Sequence, residues 1–193
     1  MKKRVAVVGA TGIAGQQFLV ALDRHPWFEI VMLAASERSA GKTYGNAIRD
    51  AKTGARRWWC AEAPPATVLD LPVENGDGLN VTGIDIVFSA VESDAARELE
   101  PQYAKTTAVL STASAFRYED DVPIMVPGVN LPHAALIDLQ RRSRGWRGFI
   151  APLPNCTTMG LVVTLKPLLD RFGVQRVVMT SMQGISGDRK SVV

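Results

Sequence analysis

An α/β chain built on a doubly wound parallel sheet is the fold this sequence predicts, followed by the start of a second, α+β unit. Three observations carry that expectation. Short β-branched apolar runs alternate with stretches of helical spacing, the pattern of successive βαβ units. The first such run breaks into a glycine-rich turn that opens a helix. After Pro154 the pattern restarts with one amphipathic stretch and one β-rich stretch, too little for a domain of its own.

Arg4 to Gly9 is a continuous β-branched run, as expected of a strand buried on both faces. Gln16 to Arg24 follows with Phe18, Leu19 and Leu22 at helical spacing, and Glu29 to Ala35 reads as a second strand. Residues 41–83, with Pro64-Pro65 and Asn75-Gly-Asp-Gly78, are expected to form loops and short elements. Ile84 to Ala90 is a further strand. Ser93 to Lys105 is a helix with Ser93 as N-cap and Ala96, Leu99 and Tyr103 on one face. Ala108 to Thr112 is a strand, and Leu131 to Arg144 a helix whose arginines suit its C-terminal end. Thr157 to Phe172 is an amphipathic helix (Leu161, Leu165, Leu168, Leu169, Phe172) closed by Gly173, and Val174 to Gln183 is β-rich. The expected division is 1–154 for the doubly wound domain, 155–187 for the incomplete start of a second domain, and 188–193 for a tail.

Composition narrows the function classes. With 47% hydrophobic and 21% charged residues the chain is globular. No apolar run approaches the ~18–20 residues of a membrane span, and Val5 to Val8 is too short for a signal-peptide core. The net charge of +3 is scattered, which argues against a nucleic-acid partner. Arg56-Arg57-Trp58-Trp59, the one hint of such a partner, is read as a surface turn with buried tryptophan. Two cysteines, Cys60 and Cys156, fit a reducing cytoplasm, and with two histidines in no ligand-like spacing they form no metal site.

Gly9-Ala-Thr-Gly12-Ile-Ala-Gly15 lies between the first strand and the first helix, where a Rossmann-type domain cradles the pyrophosphate of a dinucleotide. Gly9, Thr11, Gly12, Ile13 and Gly15 are therefore candidate cofactor residues. At the end of the second strand Ser36, Arg38 and Ser39 surround Glu37; a guanidinium and two hydroxyls suit a 2′-phosphate, so NADP is favoured over NAD. Pro154-Asn-Cys-Thr-Thr158 sets Cys156 at the start of a helix, where the partial positive charge favours the nucleophilic thiolate. Backbone N–H groups and Asn155 could stabilise an oxyanion there. A nicotinamide cofactor with an activated cysteine implies a covalent thioester route. A structural cysteine is the alternative at Cys156, and it is the reading adopted for Cys60. His25 and His133 lie far from Cys156 in sequence and are not expected to serve as its base.

In order along the chain, the Gly9–Gln16 turn, Leu33–Gly41, Val87–Ala90, Ala113–Arg117, Asp121–Pro123, Val126-Pro127, Val129-Asn130, Pro154–Thr158, Thr164–Pro167 and Met182–Gly187 resemble aspartate-semialdehyde dehydrogenase of the archaeal and fungal branch. The resemblance implies NADP-dependent reductive dephosphorylation of L-4-aspartyl phosphate to L-aspartate 4-semialdehyde, in the synthesis of lysine, methionine, threonine and diaminopimelate. It further implies a small-molecule substrate, a cytoplasmic enzyme and a full-length homodimer or homotetramer. Cys156 then corresponds to the nucleophile, Asn155 to a phosphate or oxyanion partner, Arg117 to a phosphate ligand and Gln183 to a substrate-orienting residue. Ser186 and Gly187 correspond to a nicotinamide-side turn, and Ser89 and Ala90 close the cofactor groove. Thr112 stands where the branch usually carries Asn, and Gly128 where it carries a larger residue. A malonyl-CoA reductase-like relative shares the cysteine and cofactor, and a non-catalytic NADP-binding module is the alternative of another class. Asp188-Arg-Lys-Ser-Val-Val193 departs from the family and resembles the translation of a sequencing adapter, a reading that the codons across those positions would test. On that reading the chain is an N-terminal portion that binds NADP without turning over. Phosphate-dependent NADP reduction with aspartate semialdehyde by the purified chain would refute it.

Overall fold

The computed structural model describes residues 1–182. Its centre is a parallel six-stranded sheet in the order β3-β2-β1-β4-β5-β6. The strands are β1 (Lys3–Val8), β2 (Phe28–Ala35), β3 (Val73–Asn75), β4 (Ile86–Ser89), β5 (Ala108–Ser111) and β6 (Phe149–Pro152). The helices are α1 (Ile13–Leu22), α2 (Tyr44–Ala47), α3 (Ala66–Leu69), α4 (Ser93–Ala104), α5 (Leu136–Arg144) and α6 (Cys156–Phe172).

Alternation along the central strands explains why they read as unbroken apolar runs. Ala6, Val8, Ala34, Val87 and Val109 point into one core, against Ala96, Tyr103 and Ala104 of α4. Val5, Val7, Leu33, Ala35 and Phe88 point into the other, against Leu19 and Leu22 of α1 and Tyr44 of α2. Both faces are dry, so neither set of alternate residues can be polar.

The expected strands at 4–9, 29–35, 84–90 and 108–112 are present within a residue or two, as is the helix expected at 93–105, while the helix expected at 16–24 begins three residues earlier, at Ile13. Two strands were not foreseen. β3 pairs with β2 beyond the irregular stretch, and β6 pairs with β5 through Ala108↔Phe149 to Ser111↔Pro152. Gly148 permits the second pairing, because a Cβ there would lie 2.1 Å from the Thr107 carbonyl oxygen.

Four expectations need correction. Ser93 is not the N-cap of α4; Glu92 holds that position, while Ser93 Oγ sits 2.9 Å from Ser114 Oγ. Leu131–Arg144 is not one helix but a 3₁₀ turn over Leu131–Ala135 followed by α5, which ends at Gly145 with φ 67°. Of the Trp58-Trp59 pair only Trp58 is partly buried, its Nε1 donating to the Glu62 carbonyl, and Trp59 is 58% exposed. The β-rich stretch from Val174 forms no strand through Met182, since it pairs with neither edge strand of the described sheet.

Helix α6 forms as expected and ends at Gly173, yet none of its residues is buried and Phe172 is 77% exposed. No described helix is long and apolar enough to cross a membrane.

Glu100 of α4 is buried beneath the carboxyl ends of β4 and β5, and its Oε1 accepts from Ser111 Oγ at 2.6 Å. Ser111 Oγ in turn accepts from the Ala113 N–H at 3.0 Å. Burial pushes the carboxyl up from its ordinary range, against the opposing effect of the Ser111 hydrogen bond and the nearby Ser89 hydroxyl. A raised native value means that this group's stabilisation is complete below the ordinary carboxyl range and is lost as pH rises through the native value. Glu100→Gln should therefore match the parent near about pH 4 and exceed it in stability at higher pH, read by urea unfolding from about pH 4 to pH 8. A pH-independent difference between the two would show that Glu100 binds its proton equally well in the folded and unfolded chains, and would overturn this account.

Candidate functional site

The sheet order reverses between β1 and β4, and ligands of such sheets bind outside the carboxyl ends of the strands at that crevice. Here β1 runs into the glycine-rich turn. Gly9 and Ala10 N–H both donate to the Ala34 carbonyl, and Ala90 N–H donates to the Val8 carbonyl. Gly9 has φ 80°, and a Cβ on it would lie 2.6 Å from the Ala90 carbonyl oxygen. A Cβ on Gly15 would lie 2.1 Å from the Gly9 carbonyl oxygen. The turn thus packs backbone on backbone, which only glycine allows.

Over this turn opens a groove of about 490 Å³. Gly9, Thr11, Gly12, Ser36 and Ala90 line it, with Asn75-Gly76-Asp77 after β3 and Glu98, Leu99 and Gln102 of α4. Arg38 and Ser39 are absent from its lining. They face a neighbouring cavity of about 340 Å³, reached past Thr11, together with Lys42, Arg49, Lys52 and Arg57. Gly15 is buried in the turn and Ile13 is 42% exposed outside the groove lining. Ser89 is the clear correction. Its side chain is fully buried beside the Glu100 carboxyl, with no hydrogen bond of good geometry, so it lies under the groove rather than in its wall.

A third cavity, of about 480 Å³, holds Cys156, Asn155 and Arg117 together with Thr112, Ser114, Ser93, Pro154 and Met159. Glu92 lines both this cavity and the groove, which makes the two neighbours. Cys156 is the first residue of α6 and is exposed. Asn155 caps the helix: its Oδ1 accepts from the Thr157 N–H at 3.0 Å, so any contact with an anion falls to its amide NH₂. Arg117 is fixed between two strand ends, Nε donating to the Leu153 carbonyl at 2.8 Å and Nη2 to the Thr112 carbonyl at 3.2 Å. Thr112 Oγ1 is buried without a hydrogen-bond partner among the described residues. Neither histidine lines this cavity. His25 stacks on Phe28, with ring centroids 4.7 Å apart, and His133 lies 3.1 Å from Asn130 Nδ2. Gln183, Ser186 and Gly187 lie outside the described residues. Among the described residues no three His, Cys, Asp or Glu side chains cluster as a metal site.

Sequence reasoning missed Asn75-Gly76-Asp77, Lys42, Arg49, Lys52 and Arg57. The Asn-Gly-Asp-Gly turn was a usable signal, since turn residues that close a strand fall at the same end of the sheet as the first turn.

A family model for the NAD-binding domain of semialdehyde dehydrogenase matches residues 4–137. The chain belongs to that family. Among semialdehyde dehydrogenases, the aspartate-semialdehyde dehydrogenase of Methanothermobacter thermautotrophicus is 45% identical over 183 residues, covering 95% of this chain and 50% of the relative. That of Archaeoglobus fulgidus is 45% identical over 188 residues, covering 97% of this chain and 52% of the relative. The crystal structure of aspartate-semialdehyde dehydrogenase with NADP from Candida albicans superimposes with a TM-score of 0.77 at 39% identity, over 90% of this chain and 48% of that one. A malonyl CoA reductase (NADP) of Metallosphaera sedula is 35% identical over 95% of this chain and 49% of its own length. The chain spans about half the length of the curated relatives it matches.

The Gly15 contact is the most sensitive feature of the groove. Gly15→Ala drives a methyl into a backbone carbonyl that cannot give way, so it should cost about 2 kcal/mol or more in urea unfolding. Nucleotide affinity, measured by calorimetry, should fall with it. A variant as stable as the parent would sink this account.

Proposed function

We propose that the protein to which this chain corresponds is an NADP-dependent aspartate-semialdehyde dehydrogenase, converting L-4-aspartyl phosphate to L-aspartate 4-semialdehyde and phosphate. The observation that carries the reading is the meeting of Cys156, at the first turn of α6, with Arg117 in one cavity that adjoins the glycine-lined groove at Glu92. Relatives bearing that activity in their names support it.

The groove suits a dinucleotide because the close backbone packing at Gly9 and Gly15 holds the turn down on the sheet and leaves space above it, lined by Gly9 and Gly12. Gly9, Thr11, Gly12, Ser36 and Ala90 line the groove and would hold NADP, with Ile13 and Gly15 shaping the turn beneath it, Arg38 and Ser39 toward its 2′-phosphate and Ser186 and Gly187 toward its nicotinamide. Bound cofactor would supply the two electrons that reduce an enzyme thioester to the aldehyde. The chain's own residues do the rest. Cys156 Sγ, as thiolate, attacks the acyl carbon; the carbon–oxygen bond to phosphate breaks and phosphate leaves. Arg117, already oriented by two carbonyls, takes the phosphate charge. The Asn155 amide NH₂ and the N–H groups at the start of α6 other than that of Thr157, which Asn155 Oδ1 takes, would stabilise the oxyanion, and Gln183 would orient the substrate. The reading carries the domain division at 154/155, a cytoplasmic setting and assembly as a homodimer or homotetramer. Val163, Leu169 and Phe172, exposed on α6, support burial of that helix against further protein. Malonyl-CoA, itself a thioester, is the second substrate reading, favoured by one relative's name.

Alkylation tests the cysteine assignment. Burial, with a contribution from Glu62, pushes the Cys60 thiol up, whereas Cys156 is exposed at a helix N-terminus. Iodoacetamide at neutral pH should modify Cys156 about tenfold faster than Cys60 or more, and inorganic phosphate should slow the first reaction only. In the full-length protein Cys156→Ser should abolish phosphate-dependent NADP reduction with aspartate semialdehyde. Equal labelling, together with retained turnover in that variant, removes Cys156 from the chemistry. Turnover with malonyl-CoA alone selects the second substrate.

A further inference from the structure

Gln16 is a buried polar side chain that the chemistry above does not use. It lies fully buried on α1, and its amide is saturated by backbone. Nε2 donates to the Thr11 carbonyl at 3.1 Å and to the Arg57 carbonyl at 2.9 Å, and Oε1 accepts from the Trp59 N–H at 2.8 Å. One partner belongs to the glycine-rich turn and two belong to the segment that follows α2. That segment is otherwise folded largely on itself. Arg57 N–H donates to the Ile48 carbonyl at 2.7 Å, Asp50 N–H donates to the Ala55 carbonyl at 2.8 Å, and the Asp50 carboxylate takes the N–H groups of Lys52 and Thr53 and pairs with Arg57.

The cavity of about 340 Å³ lies between these two pieces. Thr11, Arg38 and Ser39 form one side; Arg49, Lys52 and Arg57 form the other, with Lys42 also in the lining. Its only acidic lining residue is Asp50, whose carboxylate is already engaged by Arg57 and two amides. Five cationic side chains around one neutralised carboxylate suit a dianion, and guanidinium forks suit phosphate oxygens. The second wall of that cavity is positioned through Gln16. Without the amide, three backbone groups of the turn and the segment lose their partners at a buried junction.

We infer that Gln16 is a positioning residue: it docks segment 49–57 against the dinucleotide turn, so that the cavity between them takes a phosphate monoester and the chain prefers a 2′-phosphorylated dinucleotide. The inference rests on the NADP reading above and adds to it a wall of the site, Arg49, Lys52 and Arg57, and the residue that holds that wall.

Calorimetric titration of the purified chain with NADP and with NAD tests it. Gln16→Leu should weaken NADP binding about tenfold or more and NAD binding less than about threefold. Because Gln16→Leu removes a buried network, the double variant Arg49→Gln/Lys52→Gln provides an independent arm that leaves Gln16 and the turn intact, and it should show the same selective loss. A Gln16→Leu chain that loses both dinucleotides equally, or a double variant that keeps the parent's NADP:NAD ratio, overturns the inference while leaving the cofactor reading in place. A parent chain that binds the two dinucleotides equally overturns the cofactor reading, and the inference with it.

Discussion

Where β1 ends, there is no room for a side chain: a Cβ on Gly9 would sit 2.6 Å from the Ala90 carbonyl oxygen, at the end of β4. The rest of the site is arranged around that contact. It lets the turn cross from β1 to α1 without lifting off the sheet, which leaves a groove above the switch point. It also seats the residues after β4 against the turn, and the chain then runs through Glu92 into the cavity of Cys156. Gly15, in the first turn of α1, continues the same packing against the Gly9 carbonyl.

A second set of restraints works from the strand ends. Glu100 takes the Ser111 hydroxyl, Ser111 takes the Ala113 N–H, and the Thr112 N–H bonds the Ser89 carbonyl. These contacts shape the turn after β5, whose Thr112 carbonyl then accepts the Arg117 guanidinium. β6 contributes the Leu153 carbonyl to the same guanidinium before the chain enters α6. Hydrogen-bonded strand ends specify one geometry more strictly than apolar packing does. These aim a cation at the cavity of the cysteine, while Ser89 Oγ, Thr112 Oγ1 and Glu100 Oε2 remain without partners among the described residues.

Much of the fold was legible because it depends on local signals. Val5 to Val8 and Val87-Phe88 are apolar at every position, as strands between two dry cores have to be, and the glycines between β1 and α1 mark a turn that no other residue could make. β6 was not legible, since four residues after Gly148 carry little periodicity and their pairing with β5 is a long-range event. Ser93 looked like a cap, but Ser114 was a competing partner that sequence distance concealed. Likewise, Ser89 stands beside Ala90 in sequence yet faces the opposite side of the strand, so adjacency to a groove residue was misleading.

By itself the sequence determined the strand–turn–helix that makes a nucleotide groove, and the cysteine at the head of a helix capped by Asn155, because turn chemistry and helix starts are written within a few consecutive residues. Only the tertiary structure decided which distant residues share a cavity. Arg117 meets Cys156 because β5 and β6 are neighbours in the sheet, and Arg38 faces Arg49 and Arg57 because Gln16 ties two separate stretches together. Those juxtapositions are set by strand order and by buried hydrogen bonds between remote backbone groups, and neither leaves a periodic mark in the chain.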